Sequence, residues 1–269
     1  MKQILKILKY LIVYGLLMVG PAVVVTIVVV VINRQNGCTM NSDAVWDSPY
    51  MLPALAVGTL LNIIVFLWRR WAVLSLGRIS RHDVCLVVAM SVVVFIGWYF
   101  PENSLQRLID VPDNITEKEF DQLTGGVFGF IDTGILAPVS EELLCRGAIL
   151  GSLFLMMPRR PWVCIVISAL IFGLIHMNPV QVVFGFFYGL LLGWLCWRTK
   201  SLLPGIVVHV VNNSIVLLLP DSVDDAVIGL GVAPRTIILV ASLMVLVYGI
   251  RWFHRKYSIR ERHIVQLSF

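Results

Sequence analysis

Eight apolar runs dominate this chain, at 10–32, 51–68, 84–100, 126–157, 161–177, 179–197, 202–219 and 235–250, and short polar segments separate them. Most are about 18–25 residues long, the length an α-helix needs to cross the roughly 30 Å hydrocarbon core of a bilayer. The pattern predicts an all-α polytopic membrane protein, a bundle of about eight transmembrane helices. No repeat of 20–50 residues and no low-complexity linker interrupts it, so residues 1–269 read as a single transmembrane domain. The first run follows a basic start but is too long for a secretory core. Val30-Val31-Ile32-Asn33-Arg34 is not a small-residue cleavage site, so a retained first helix is expected.

Charge gives this topology an orientation. Counted from a cytoplasmic N-terminus, the inside segments are 1–9, 69–83, 158–160, 198–201 and 251–269, and they hold 16 of the 21 Lys and Arg. The outside segments hold Arg34, Arg107, Lys118 and Arg235. Basic residues thus alternate side with each crossing, as the positive-inside rule requires, and both termini are predicted to be cytoplasmic. Acidic residues gather on the other side: Glu102, Asp110, Asp113, Glu117, Glu119 and Asp121, then Asp221, Asp224 and Asp225. Thr116-Glu117-Lys118-Glu119 offers a capping box for a short surface helix in an otherwise solvated loop.

Composition narrows the class further. With 58% hydrophobic and 14% charged residues and a mean hydropathy of +0.88, the chain falls far from the roughly 25% charge of soluble domains. The net charge of +5 then belongs to membrane-flanking loops, and no nucleic-acid partner is expected. Cysteines 38, 85, 145, 164 and 196 are odd in number and show no CxxC or CxxxH spacing, which indicates neither a disulfide framework nor a zinc site.

Against this apolar background, Ser140-Glu141-Glu142-Leu143-Leu144-Cys145-Arg146 stands out inside the fourth run. Each charge at mid-bilayer costs at least about 2.5–3.5 kcal/mol on insertion scales, so three together need partners and a reason. Residues four apart share a helix face, so Glu142 and Arg146 can pair along one helix. Glu141 is rotated about 140° from Arg146 and projects toward neighbouring helices. Pro138 favours a helix start or a kink just ahead of the pair. The fifth run places Phe172 and His176 on one face, and the seventh places His209 and Asn213 on one face. Each pair alone could be interhelical packing. Their coincidence in a chain with almost no other intramembrane polarity points to a shared site. Gly185, Gly189 and Gly193 form a GxxxGxxxG stripe read as close helix packing. Asp132 has no evident partner.

These residues could hydrolyse a peptide bond within the membrane, Glu141 and His176 holding and deprotonating a water while His209 and Asn213 stabilise the oxyanion. Counted along ideal helices, Glu141 lies about 24 Å from residue 157 and His176 about 22 Å from residue 161, but His209 only about 12 Å from the start of its run. Convergence therefore requires a kink at Pro138 or a tilted seventh helix. No HExxH helix is present. A metal held by Glu141, His176 and His209 is chemically possible, but nothing in the spacing demands one, and no cofactor is expected.

Glu-Glu-x-x-x-Arg (141–146), Phe-x-x-x-His (172–176) and His-x-x-x-Asn (209–213), in this order on separate helices, resemble the CPBP family, the CAAX protease and bacteriocin-processing (Abi) group that includes the type II CAAX prenyl endopeptidases. The resemblance spans roughly 125–220, a CPBP-like catalytic core. It implies a metal-independent glutamic intramembrane protease in which Glu141 and His176 activate water, His209 and Asn213 stabilise the oxyanion, and Glu142 and Arg146 form a structural pair. The expected partners are the lipid bilayer and a peptide or membrane-protein substrate. The expected location is a cell membrane, with compact loops favouring a bacterial inner or plasma membrane. Two other readings remain: a non-catalytic membrane docking or immunity protein on the same fold, and a small-solute transporter, which internal repeats would have favoured.

Overall fold

The computed structural model describes residues 2–36, 45–46, 48–108, 122–219, 227 and 229–258. Among these the chain is helical, with no strand. The helices are α1 (Lys2–Gln35), α2 (Met51–Trp68), α3 (Val84–Leu108), a composite α4 (126–156), α5 (Pro161–Leu174), α6 (Pro179–Thr199), α7 (Leu203–Leu218) and α8 (Val232–Lys256). Cys38, the capping box at Thr116–Glu119 and the acidic residues at 110–121 and 221–225 lie outside the described residues.

Each helical stretch coincides with one of the apolar runs, but length divides them. Five are long and apolar enough to cross a membrane: α1, α2, α3 with the turn before it, α6 and α8. α5 and α7 are apolar but shorter, with 14 and 16 residues. At about 1.5 Å per residue α5 is roughly 21 Å long, short of a typical hydrocarbon core. The fifth run therefore does not stay helical to residue 177. α5 ends at Leu174, and His176 stands in the turn beyond it. The third helix, conversely, continues past Pro101 to Leu108, so Glu102 is helical rather than part of a loop.

α4 occupies the centre, and every residue from Glu142 to Phe154 is buried. It is not a uniform α-helix. Phe130–Leu136 and Leu143–Ile149 are π-helical, flanking the α-helical turn Ala137–Glu142 that carries both glutamates. Pro138 lies within the helix instead of starting it. Proline has no N–H and cannot donate to the carbonyl four residues back, so the regular ladder is interrupted there. Just upstream the Ala137 N–H reaches the Asp132 carbonyl, five residues back. Downstream, the Cys145 carbonyl accepts from the Leu150 N–H and, at 2.9 Å, from the Ser168 hydroxyl of α5. Such π segments recur at functional sites.

Around α4 the helices pack in antiparallel pairs: α1 with α2, α5 with α6, and α3 with α8, while α7 lies between α3, α4 and α6. The glycine stripe of α6 is the seam of the α5–α6 pair. A Cβ on Gly189 would stand 3.0 Å from Ala169, and one on Gly193 would stand 3.1 Å from Ile165. α1 and α8 turn large apolar side chains outward, among them Leu16, Val24, Ile237 and Met244, as lipid-facing helices do.

One end of the bundle gathers the basic segments. The Lys9 ammonium lies 5.0 Å from the ring of Trp71. Arg78 donates to the carbonyls of Arg198, Tyr257 and Ser258 at 3.2, 3.0 and 2.9 Å. Lys256 pairs with Asp83 at 2.8 Å. Two hydrogen bonds, from Lys256 and from Ser80, hold the exposed Asp83 carboxyl below its ordinary range. The Arg198 guanidinium contacts His254 of α8.

Candidate active site

Glu142 and Arg146 form the buried centre of the site. Both are fully excluded from solvent, and the Arg146 Nη1 donates to Glu142 Oε1 at 2.7 Å. Arg146 Nη2 also donates to the Gly189 carbonyl at 3.2 Å, and its guanidinium stacks 4.2 Å from the centre of the Phe172 ring. Gly189 makes this contact possible, because a Cβ there would stand 3.2 Å from Arg146 Nη2. Gly205 plays a similar part on α7: a Cβ there would lie 2.9 Å from Glu142 Oε2. Small residues on α6 and α7 thus bring both helices close to a buried ion pair that would otherwise be costly.

Glu141 faces the other way, toward two imidazoles. Its Oε2 lies 3.7 Å from His176 Nε2 and 3.6 Å from His209 Nε2, and it is buried with no hydrogen-bond partner. These separations exceed a direct hydrogen bond. They suit three polar atoms arranged around one small bridging molecule, since polar contacts beyond about 3.5 Å are commonly water-mediated.

The tautomer of His176 follows from its other nitrogen. Nδ1 lies 2.8 Å from the Phe172 carbonyl, which can only accept, so Nδ1 carries a proton. In the neutral ring Nε2 is then an acceptor directed at Glu141. The turn holding the ring is tightly specified. Met177 adopts a left-handed φ of 53°, Asn178 caps α6 by accepting from the Gln181 N–H at 3.1 Å, and Pro179 takes the first helical turn. His209 is 3% exposed and lies between the two carboxylates, with Nδ1 3.2 Å from Glu142 Oε1. The rings of Phe172 and Tyr188 hold it edge-to-face at 5.5 and 5.4 Å.

Asn213, one turn above His209, donates from Nδ2 to the Thr133 carbonyl at 3.0 Å. One of its two N–H groups is thereby committed to α4. A cavity of about 240 Å³ opens beside these groups, lined by His176, His209, Asn213, Phe172 and Thr133. Glu141 does not line it and stands behind the imidazoles.

The helices therefore meet although their ideal depths differ. The turn before α7 is itself inside the protein: Ser201 and Leu202 are each 2% exposed, and the Ser201 hydroxyl donates to the Ser75 carbonyl at 2.7 Å. α7 thus starts from a buried turn rather than from an exposed loop. Asp132 is buried in the first π segment, and its Oδ1 has no partner. Among the described residues no group of three or more His, Cys, Asp or Glu has the arrangement of a metal site.

Several further residues of the cavity wall escape the sequence reading, among them Glu102 and Gln106 from α3 and Phe184 and Tyr188 from α6. Trp98, Glu102 and Gln106 are spaced four apart, a signal that could have placed them on one face had the helix been extended past Pro101.

Residues 123–215, roughly a third of the chain, match the family model described as Rce1-like, type II CAAX prenyl endopeptidase. Comparison with curated proteins and with solved structures gives no match. The matched segment contains Glu141, Glu142, Arg146, Phe172, His176, His209 and Asn213, the residues whose order first suggested the resemblance. Over residues 123–215 the chain is therefore similar to the Rce1-like type II CAAX prenyl endopeptidases.

Proposed function

We propose that this protein is an intramembrane endopeptidase of the glutamic type, which cleaves a peptide or membrane-associated protein without a metal. One observation carries the reading: the buried, unpartnered Glu141 Oε2 lies 3.7 and 3.6 Å from the Nε2 atoms of His176 and His209, beside a cavity that both imidazoles line.

In this mechanism a water between Glu141 and His176 gives a proton to the Glu141 carboxylate as its oxygen adds to the scissile carbonyl carbon. The Nδ1–H bond to Phe172 keeps His176 Nε2 free to accept the second O–H and to aim the water. Negative charge moves to the carbonyl oxygen. His209, as imidazolium, donates Nδ1–H to Glu142 and Nε2–H toward the reaction centre, and the other N–H of Asn213 supplies a second donor to the oxyanion. Collapse of the tetrahedral intermediate breaks the C–N bond, and Glu141 returns its proton to the leaving amine.

Eight membrane crossings with both termini cytoplasmic, in one domain over 1–269 with a catalytic core at 125–220, complete the proposal. The clustering of Lys9, Arg78, Arg198 and Lys256 segments at one end supports that orientation. The test uses the purified full chain in proteoliposomes with a mixed peptide substrate. Glu141→Gln is expected to abolish cleavage while leaving the free energy of unfolding within about 1 kcal/mol of wild type, and undiminished cleavage by that variant would end the proposal.

A further inference from the structure

The cavity beside His176 and His209 contains one acidic side chain, Glu102, and no Lys or Arg lines it. Glu102 lies on α3 and shares this cavity with His176 of the α5–α6 turn. Trp98, one turn earlier, donates its indole N–H to Glu102 Oε2 at 2.7 Å and so fixes the carboxylate's direction. No cation pairs with it among the described residues, whereas Asp83 and Glu142 each have a basic partner. Beside it, Tyr188 and Phe184 of α6 form an aromatic wall, with the Tyr188 ring 5.8 Å from that of Trp98. Gln106 adds an amide one turn further along α3.

A fixed carboxylate, aromatic faces and an amide around a small cavity are the elements that bind an alkylammonium or guanidinium group. The carboxylate gives a charge-assisted hydrogen bond, and the rings attract the cation by their quadrupole. The cavity's 240 Å³ lies below the roughly 300–1,000 Å³ of drug-sized ligand sites, so it suits a single side chain. An arriving cation also favours the ionised form of Glu102, so site and ligand charge reinforce each other.

We propose that Glu102 is a specificity-determining residue: the cavity takes a Lys or Arg side chain of the substrate, close in sequence to the bond presented to Glu141 and His176. This rests on the endopeptidase reading above and goes beyond it by naming the substrate class. The negative wall would disfavour Asp and Glu at the same position.

The test uses the full chain in proteoliposomes and a library of short peptides in which one position at a time is Lys, Arg, Gln, Leu or Glu. Products are sequenced by mass spectrometry from competing mixtures, so the readout is a ratio rather than a rate. Wild type should prefer Lys or Arg at one fixed distance from the cleaved bond by about tenfold or more, in line with close charge pairs across interfaces. Glu102→Gln, which keeps an acceptor for Trp98, should bring the basic-to-neutral ratio near one, and Glu102→Lys should shift the preference to Glu. Cleavage that depends on Glu141 but shows no basic preference, or a preference unchanged in Glu102→Gln, overturns this inference and leaves the endopeptidase reading standing. Absence of any Glu141-dependent cleavage overturns both.

Discussion

Removing the Arg146 guanidinium while keeping its bulk, as in Arg146→Met, isolates the buried ion pair as a structural element. Arg146 makes three contacts in the interior: the 2.7 Å bond to Glu142, the 3.2 Å bond to the Gly189 carbonyl and the stacking on Phe172 at 4.2 Å. A surface pair of the same geometry would contribute about 0–1 kcal/mol. Here both partners are fully buried, so the substitution leaves Glu142 with His209 as its one remaining partner, and breaking such a buried pair typically costs about 3–5 kcal/mol. At about 2 °C or more per kcal/mol, the unfolding midpoint in matched detergent should fall by at least about 6 °C. The double variant Glu142→Gln/Arg146→Met removes the Glu142 charge and keeps an acceptor for His209, so it should recover most of that loss. The assay is a double-mutant cycle on the unfolding midpoint. A loss below about 1 kcal/mol in Arg146→Met, or no recovery in the double variant, would refute the view that charge neutralisation by Arg146 makes the buried Glu142 tolerable.

Other substitutions probe the packing and the turn. Gly189→Ala places a Cβ 3.0 Å from Ala169 and should cost about 1–3 kcal/mol, whereas Gly15→Ala in α1, with nothing within 4 Å, should stabilise by about 0.5–1 kcal/mol; unfolding midpoints distinguish them. Asn178→Ala removes the cap beside His176 and should lower stability by about 0.5–2 kcal/mol and kcat more than KM, read from unfolding and steady-state cleavage. Lys200, in the turn between α6 and α7, is held down to about 8 by burial and by the nearby Arg78. Its folded value lies below the roughly 10.4 of an unfolded chain, so the folded protein binds fewer protons between those values. Stability should therefore rise with pH from about 8 to 10.4, and Lys200→Met should flatten that rise in a pH series of unfolding midpoints.

The helical stretches were legible because apolar runs of membrane-spanning length have few other uses, and the Glu142–Arg146 pair because i, i+4 spacing fixes a shared face. Three features were hidden for physical reasons. The π segments of α4 arise from the interrupted ladder at Pro138 and from the Ser168 hydroxyl on the Cys145 carbonyl, a contact between residues 23 apart. His176 reads as intrahelical because Ile175-His176-Met177 carries no breaker, yet Met177 turns left-handed and Asn178-Pro179 starts the next helix. Glu102 follows a proline and joins an acidic stretch, so it reads as loop, although Pro101 is accommodated inside α3. Convergence of His209 with Glu141 was also beyond a count of residues, because the turn before α7 at Ser201 and Leu202 is buried rather than an exposed loop.

The central claim, that Glu141 drives hydrolysis without a metal, is tested most directly in membranes carrying wild-type protein or Glu141→Gln at matched expression. New peptide termini are catalogued by mass spectrometry, with and without a chelator. The account predicts cleavages that persist in chelator and vanish in the variant. Termini identical in the two membranes, or cleavage lost to the chelator alone, would contradict it.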